Sequence, residues 1–231
     1  MSWTRVQTVG NNGTTGTTLA VTISASAAGN LLVAYGIGHT ANTIADSASQ
    51  TWTKLTDEAN VPTSTKVHTW FYKLATASGV TTVTMTTTSG SQCYLQVMEY
   101  HVTGSGQAFD AGTETAFTGT AVTTIGGSLN SGAAAGDLVL IGVAENAVAG
   151  TTFTAGSGIT TLVGFANQTN GTASMCVGEN LSCAASPAAN ITISPSNNVA
   201  ATAIAFNETT AAAANPPLVV QQNAIIRASR W

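Results

Sequence analysis

Strand-like landmarks in this chain recur in one order and at nearly one spacing. Ala28-Gly-Asn-Leu-Leu32 returns 107 residues later as Ala135-Gly-Asp-Leu-Val139. Val83-Thr-Met85 returns as Ile191-Thr-Ile193, Met98-Glu-Tyr100 as Ile204-Ala-Phe206, and Trp3 as Phe109. The landmarks themselves read as strands. Leu19-Ala-Val-Thr-Ile23, Val83-Thr-Met85 and Ile191-Thr-Ile193 alternate with period two, as half-buried strands do. Asn30–Tyr35 and Asp137–Ile141 are continuous apolar runs, the pattern of central strands covered on both faces. No segment carries a convincing helical period, Ala211–Ala214 being the weak exception.

These features predict an all-β chain built as a duplicated antiparallel β-sandwich. Residues 1–106 and 107–212 form the two versions of one unit, and 213–231 form an extended C-terminal tail. Each unit holds enough strand candidates for a sandwich of Ig-like or jelly-roll size. Two sandwiches side by side and one large sandwich made of both halves satisfy the repeat equally well.

Charge narrows the function. Lys and Arg number six in 231 residues, and none falls between Lys73 and Arg227. Glu99, Asp110, Glu114, Asp137, Glu145, Glu179 and Glu208 all lie in that interval. So few cations cannot neutralise a phosphate backbone or grip an anionic membrane, so no nucleic acid and no membrane are expected as partners. Apolar residues make up 44%, enough for a packed core. The opening Met-Ser-Trp-Thr-Arg has no apolar signal core, which predicts a chain made and folded in a cytoplasm. The odd count of three cysteines, Cys93, Cys176 and Cys183, argues for buried thiols rather than a disulfide framework. With Met175–Cys183 read as one strand, Cys176 and Cys183 fall on opposite faces.

The strings Ala28-Gly-Asn-Leu-Leu-Val33, Asp46-Ser-Ala-Ser-Gln-Thr-Trp52, Trp70-Phe-Tyr72, Thr82-Val-Thr-Met-Thr86 and Val97-Met-Glu-Tyr100 go together with Phe153-Thr-Ala-Gly-Ser-Gly158 in the second half. Together they resemble a broad group of Thr/Gly/Ala-rich β-sandwich structural proteins of tailed bacteriophages, also met in some bacterial surface proteins. The resemblance covers residues 1–210 and leaves the tail outside. It implies a non-enzymatic virion structural protein of capsid decoration, cement, head-fibre or tail-fibre type. Such a protein is made in the host cytoplasm, resides in the virion, and assembles as a homo-oligomer and with capsid or fibre subunits. The alternative is a carbohydrate-binding or adhesive module on a fibre or cell surface, with a glycan as partner.

Chemistry-bearing patterns are sparse. His39 or His68, Asp46 or Asp57 and any of many serines assemble a hydrolase triad only on paper, without a Gly-X-Ser-X-Gly elbow. There is no Cys-X-X-Cys, His-Glu-X-X-His or EF-hand loop. Asp57, Glu58 and Asp46 are the remaining candidates for a loop cation, and solvated charges are the plainer reading. No catalytic, metal or cofactor residue is therefore assigned. Glu99 lies within an apolar strand, Tyr94–Val102, sharing a face with Leu95, Val97 and His101, and reads as a strand-end or sheet-surface glutamate. The histidines read as surface or strand-end residues. Trp52, Trp70, Tyr72 and Tyr100 are the stacking surfaces a glycan would need. Asp137 and its counterpart Asn30 read as turn residues.

The tail is different in kind. Asn215-Pro216-Pro217 ends the sandwich, because paired prolines do not enter a sheet interior. Leu218, Val219 and Val220 then suit strand addition to a partner, and Ile225, Ile226 and Trp231, with Arg227 and Arg230, suit insertion into a groove. Return of the tail onto its own sandwich as an edge strand is the competing reading.

Overall fold

The computed structural model describes residues 3–13, 16–39, 42–55, 65–88, 93–104, 106–130, 132–145, 151–169 and 174–209. Within them the chain is all-β, with one short 3-10 turn at Ala111–Thr113. The first half contributes β1 (Trp3–Gly13), β2 (Thr18–Thr22), β3 (Leu31–Gly38), β4 (Thr43–Asp46), β5 (Thr53–Lys54), β6 (Val67–Lys73), β7 (Thr82–Thr86) and β8 (Cys93–Val102). The second contributes β9 (Gly106–Phe109), β10 (Thr115–Ser128), β11 (Leu138–Glu145), β12 (Thr152–Ala155), β13 (Thr161–Thr169), β14 (Ser174–Asn180) and β15 (Ala188–Thr209).

In the first half a five-stranded sheet, β1-β8-β3-β6-β5, faces a three-stranded sheet, β2-β7-β4. In the second half β10 and β15 are long enough to serve both layers. The later part of β15 pairs with β11, the start of β10 and β9, while its early part pairs with β12 and the end of β10. One bent strand thus does what β7 and β8 do as two. β14 and β13 complete the larger layer.

The register repeats with the architecture. Leu31 faces Tyr100 where Leu138 faces Phe206. The β3–β6 ladder from Leu32↔Lys73 to Gly38↔Val67 returns as Val139↔Asn180 to Glu145↔Ser174. Ile44↔Met85 returns as Phe153↔Ile193. One landmark moves. Phe109 pairs with Phe206, the place Arg5 holds opposite Tyr100, so it is the counterpart of Arg5 and not of Trp3. Matching by aromatic type hid that two-residue difference in frame.

Three cores explain the hydrophobic pattern. Leu32, Ala34, Val83, Met85, Leu95 and Val97 fill the space between the two sheets of the first half. Val139, Ile141, Phe153, Ile191 and Ala203 do the same in the second. Leu31, Val33, Tyr35, Trp70, Tyr100, Leu138, Leu140, Val177, Ile204 and Phe206 lie between the large sheets of the two halves. The molecule is therefore two sandwiches back to back, four layers deep, with a third core shared between them. The runs in β3 and β11 are apolar on both faces because each strand lies in an inner layer, its odd and even side chains entering different cores. β2 belongs to an outer layer and alternates, Leu19 and Val21 buried, Thr18, Ala20 and Thr22 exposed.

Three side-chain expectations are corrected. β14 ends at Asn180, so Cys183 lies in the following turn rather than on the strand of Cys176. All three cysteines are free and buried. Of the surface or strand-end reading of the histidines, His68 keeps the strand end but not the surface: it is second in β6 and buried, with its ring 5.7 Å from that of Tyr35. Glu99 is likewise interior, 1% exposed, because the turn before β3 closes over the end of its strand.

Candidate functional site

The tail residues proposed for docking, Leu218, Val219, Val220, Ile225, Ile226, Arg227, Arg230 and Trp231, lie outside the described residues, as do Asp57 and Glu58. The candidates within them are buried carboxylates and one cleft.

Glu99 stands at the end of the first-half core. Its Oε1 accepts the Ala27 N–H at 2.9 Å and the Asn30 side-chain N–H at 2.6 Å, and its other oxygen accepts from Gln7. With the Asn30 amide nitrogen committed to Glu99, its Oδ1 faces His101 Nδ1 at 3.0 Å. A hydrogen bond at that contact requires the proton on His101 Nδ1, because the amide oxygen can only accept. His101, Gln107, Ala28, Gly29, Ala75 and Val102 line a cleft of about 250 Å3 where the halves join. This is below the roughly 300–1,000 Å3 usual for small-molecule sites. Gln107 spans the cleft wall, donating to Gly29 O at 2.7 Å and accepting from the Ala75 N–H at 3.3 Å.

The second half solves the same local problem differently. Its turn keeps Gly136 at φ 94, as Gly29 stands at φ 85, a left-handed position suited to glycine. Here Asp137 itself accepts the Ala134 N–H at 2.8 Å, and Ala205 occupies the place of Glu99. Each half has one carboxylate receiving the same backbone N–H. It comes from the turn in one half and from the neighbouring strand in the other, where the turn residue is the neutral Asn30. Burial pushes the Asp137 carboxyl above the usual range, opposed by the Ala134 N–H.

A second group lies in the shared core. Glu179 on β14 accepts from Arg5 and, at 2.9 Å, from the Tyr100 hydroxyl. The Glu179 side chain is 2% exposed and that of Arg5 29%. Burial raises the Glu179 carboxyl, with Tyr100 and Arg5 acting in the opposite direction. Burial, followed by the Glu179 charge, raises the Tyr100 phenol well above its ordinary value. Glu145, also buried, accepts from Thr151 at 3.0 Å and from Asn197.

Among the described residues named for a hydrolase triad, Asp46 and His68 are engaged apart from one another. Asp46 spends both oxygens on its own loop, accepting from Ala48 N–H, Gln50 and Trp52 Nε1. His68 faces the shared core beside Tyr35. Among the described residues no group of three or more His, Cys, Asp or Glu side chains is placed to hold a metal ion. The aromatic residues named for stacking are also engaged. Trp70 and Tyr100 are fully buried, Tyr72 packs against Phe109 and Phe206, and the partly buried Trp52 rests on the first-half core.

Sequence reasoning missed the Arg5–Glu179–Tyr100 group because its members lie on three distant strands. One signal was present: Glu179, like Glu99, interrupts an apolar strand. No protein-family model, no curated protein and no solved structure matches this chain.

Proposed function

We propose that this chain is a non-enzymatic structural component of a virus particle of the tailed-phage kind. In this reading it is a capsid decoration, cement or fibre protein working through protein–protein contacts in the virion. The observation that carries the proposal is how the buried carboxylates are used. Glu99, Asp137, Glu145 and Glu179 all receive hydrogen bonds from the fold's own donors. Glu99, Asp137 and Glu145 are spent on the turns and strands of their own half, and Glu179 joins one half to the other.

The outer faces support the same reading. On the β2-β7-β4 sheet, Thr18, Thr86 and Thr43 form one cross-strand row and Ala20, Thr84 and Ala45 the next. Its counterpart carries the row Thr154, Thr192 and Thr124. These rows are hydroxyl and methyl groups without charge, suited to packing in a polar, wet interface. Among the described residues the large apolar side chain left mostly exposed is Val6, so apolar anchoring falls to the tail. Leu218–Val220, Ile225, Ile226 and Trp231 supply it. The carbohydrate-binding alternative has the His101 cleft available, but the aromatic rings it would stack on are occupied within the fold.

The test is co-sedimentation of purified protein with particles lacking it, using the full chain and a chain truncated before Asn215. Docking predicts that the full chain binds, and that the truncated chain stays in the supernatant while its sandwich melts almost unchanged. Fold-back predicts a clear loss of melting temperature. Binding to host polysaccharide with no binding to particles would transfer support to the adhesive reading.

A further inference from the structure

The contacts between the halves obey a twofold relation. In an isologous interface, if residue i touches j, then the counterpart of j touches the counterpart of i. Tyr72 packs on Phe206 with ring centroids 5.4 Å apart, and on Phe109 at 5.0 Å. By the register of the ladders, Tyr72 corresponds to Glu179, Phe206 to Tyr100 and Phe109 to Arg5. The corresponding contacts are therefore Glu179 with Tyr100 and Glu179 with Arg5, and both are made. A residue on the axis must meet its own counterpart. Tyr35 and Gly142 correspond, and a Cβ on Gly142 would stand 2.3 Å from Tyr35 Cε2.

The backbone relation is symmetric, but the side chains are not. On the axis a full-sized ring faces a glycine. Two tyrosines there would collide and two glycines would leave a void. On one side of the axis the three corresponding positions hold Tyr72, Phe206 and Phe109; on the other they hold Glu179, Tyr100 and Arg5. Trp70, whose counterpart is Val177, donates its indole N–H across the seam to Thr202 O at 3.1 Å. Charge follows the same division. Every Lys and Arg of the described residues lies in the first half, and the second-half strand β14 supplies Glu179.

We propose that the large-sheet face of each half is a dimer interface fused into one chain and made exclusively heterotypic. Tyr35 against Gly142 is its axial lock, and the unlike triads are its flanking specificity elements. The face fits one partner, the other half of the same chain, and is closed to a like half of a second copy. Self-assembly of this protein then uses its outer sheets, edges or tail. This inference does not depend on the virion reading.

Exchange across the axis, in the full chain, tests the lock. Tyr35→Gly alone should lower the melting temperature by roughly 6–20 °C through the void it leaves. Gly142→Tyr alone should lower it further or prevent folding. The double variant Tyr35→Gly/Gly142→Tyr should recover at least half of the larger loss, because one ring again occupies the axis. A double variant no more stable than the worse single would overturn the proposal. A milder pair gives a reading even if the Gly142→Tyr variants fail to fold. Gly142→Ala should cost about 2–12 °C beside Tyr35 and almost nothing in a Tyr35→Leu background. An equal cost in both backgrounds would also overturn it.

Discussion

The polar triad in the shared core has an aromatic twin on the same molecule, and that makes its energetic value measurable. The perturbation is Arg5→Phe/Tyr100→Phe/Glu179→Tyr, which writes the Phe109, Phe206 and Tyr72 arrangement into the corresponding positions. In the native triad Glu179 gives up nearly all its water, and its carboxyl is raised by that burial despite Tyr100 and Arg5. The environment thus disfavours the charged form on balance. Replacing a buried ion pair by well-packed side chains is often neutral or stabilising by about 1–4 kcal/mol. Arg5 is nearly one-third exposed, so solvent already screens its share and the lower half of that range applies. About 1–2 kcal/mol corresponds to roughly 2–8 °C in a chain of this size. Differential scanning calorimetry across pH is the assay. The sign is set by the raised carboxyl: between the ordinary glutamate value and the folded one, the native state holds more protons than the unfolded state. Glu179 therefore makes stability fall as pH rises through that window, and the triple variant should lose this component. Glu179→Leu alone should instead destabilise by about 1–3 kcal/mol, leaving the buried Tyr100 hydroxyl without its acceptor. A triple variant that melts well below the native chain, or keeps the full pH slope, would refute the equivalence of the two seams.

Further outcomes follow from the same structure. Glu99→Ala should cost about 2–4 kcal/mol by removing the acceptor of Ala27, Asn30 and Gln7, and adding Asn30→Asp should restore much of it by copying the Asp137–Ala205 solution; urea melts of the two variants decide this. Cys93, Cys176 and Cys183 should all be unmodified by a thiol reagent in the native protein and all be labelled after unfolding, as read by intact mass. Burial raises the thiols, Cys176 most of all, and labelling of a native cysteine would contradict the packing described for it.

Much of the fold is legible in the sequence because strand burial has a direct signature. The double-sided runs of β3 and β11 mark inner layers, and the alternation of β2 marks an outer one. The repeat spacing gives the correspondence of Leu31 with Leu138 and of Tyr100 with Phe206. Back-to-back packing is not legible, since a run apolar on both faces does not say what covers each face. Nor is the frame of Arg5 and Phe109, where composition pointed at Trp3 and only hydrogen-bond register separates them. The buried carboxylates are half legible. Asn30 against Asp137 and Glu99 against Ala205 are two mismatches in the repeat that compensate one another, and their compensation is visible only once β8 lies beside the turn. Arg5 with Glu179 is a contact between residues 174 apart, beyond any local pattern.

Particles produced from the genome that encodes this chain should be purified through a density gradient and their proteins quantified by mass spectrometry. The account predicts that the chain bands with intact particles, in a fixed ratio to the main shell or fibre protein, and leaves them when its residues after 214 are deleted. Particles that lack the chain while it accumulates free in the lysate would contradict the claim.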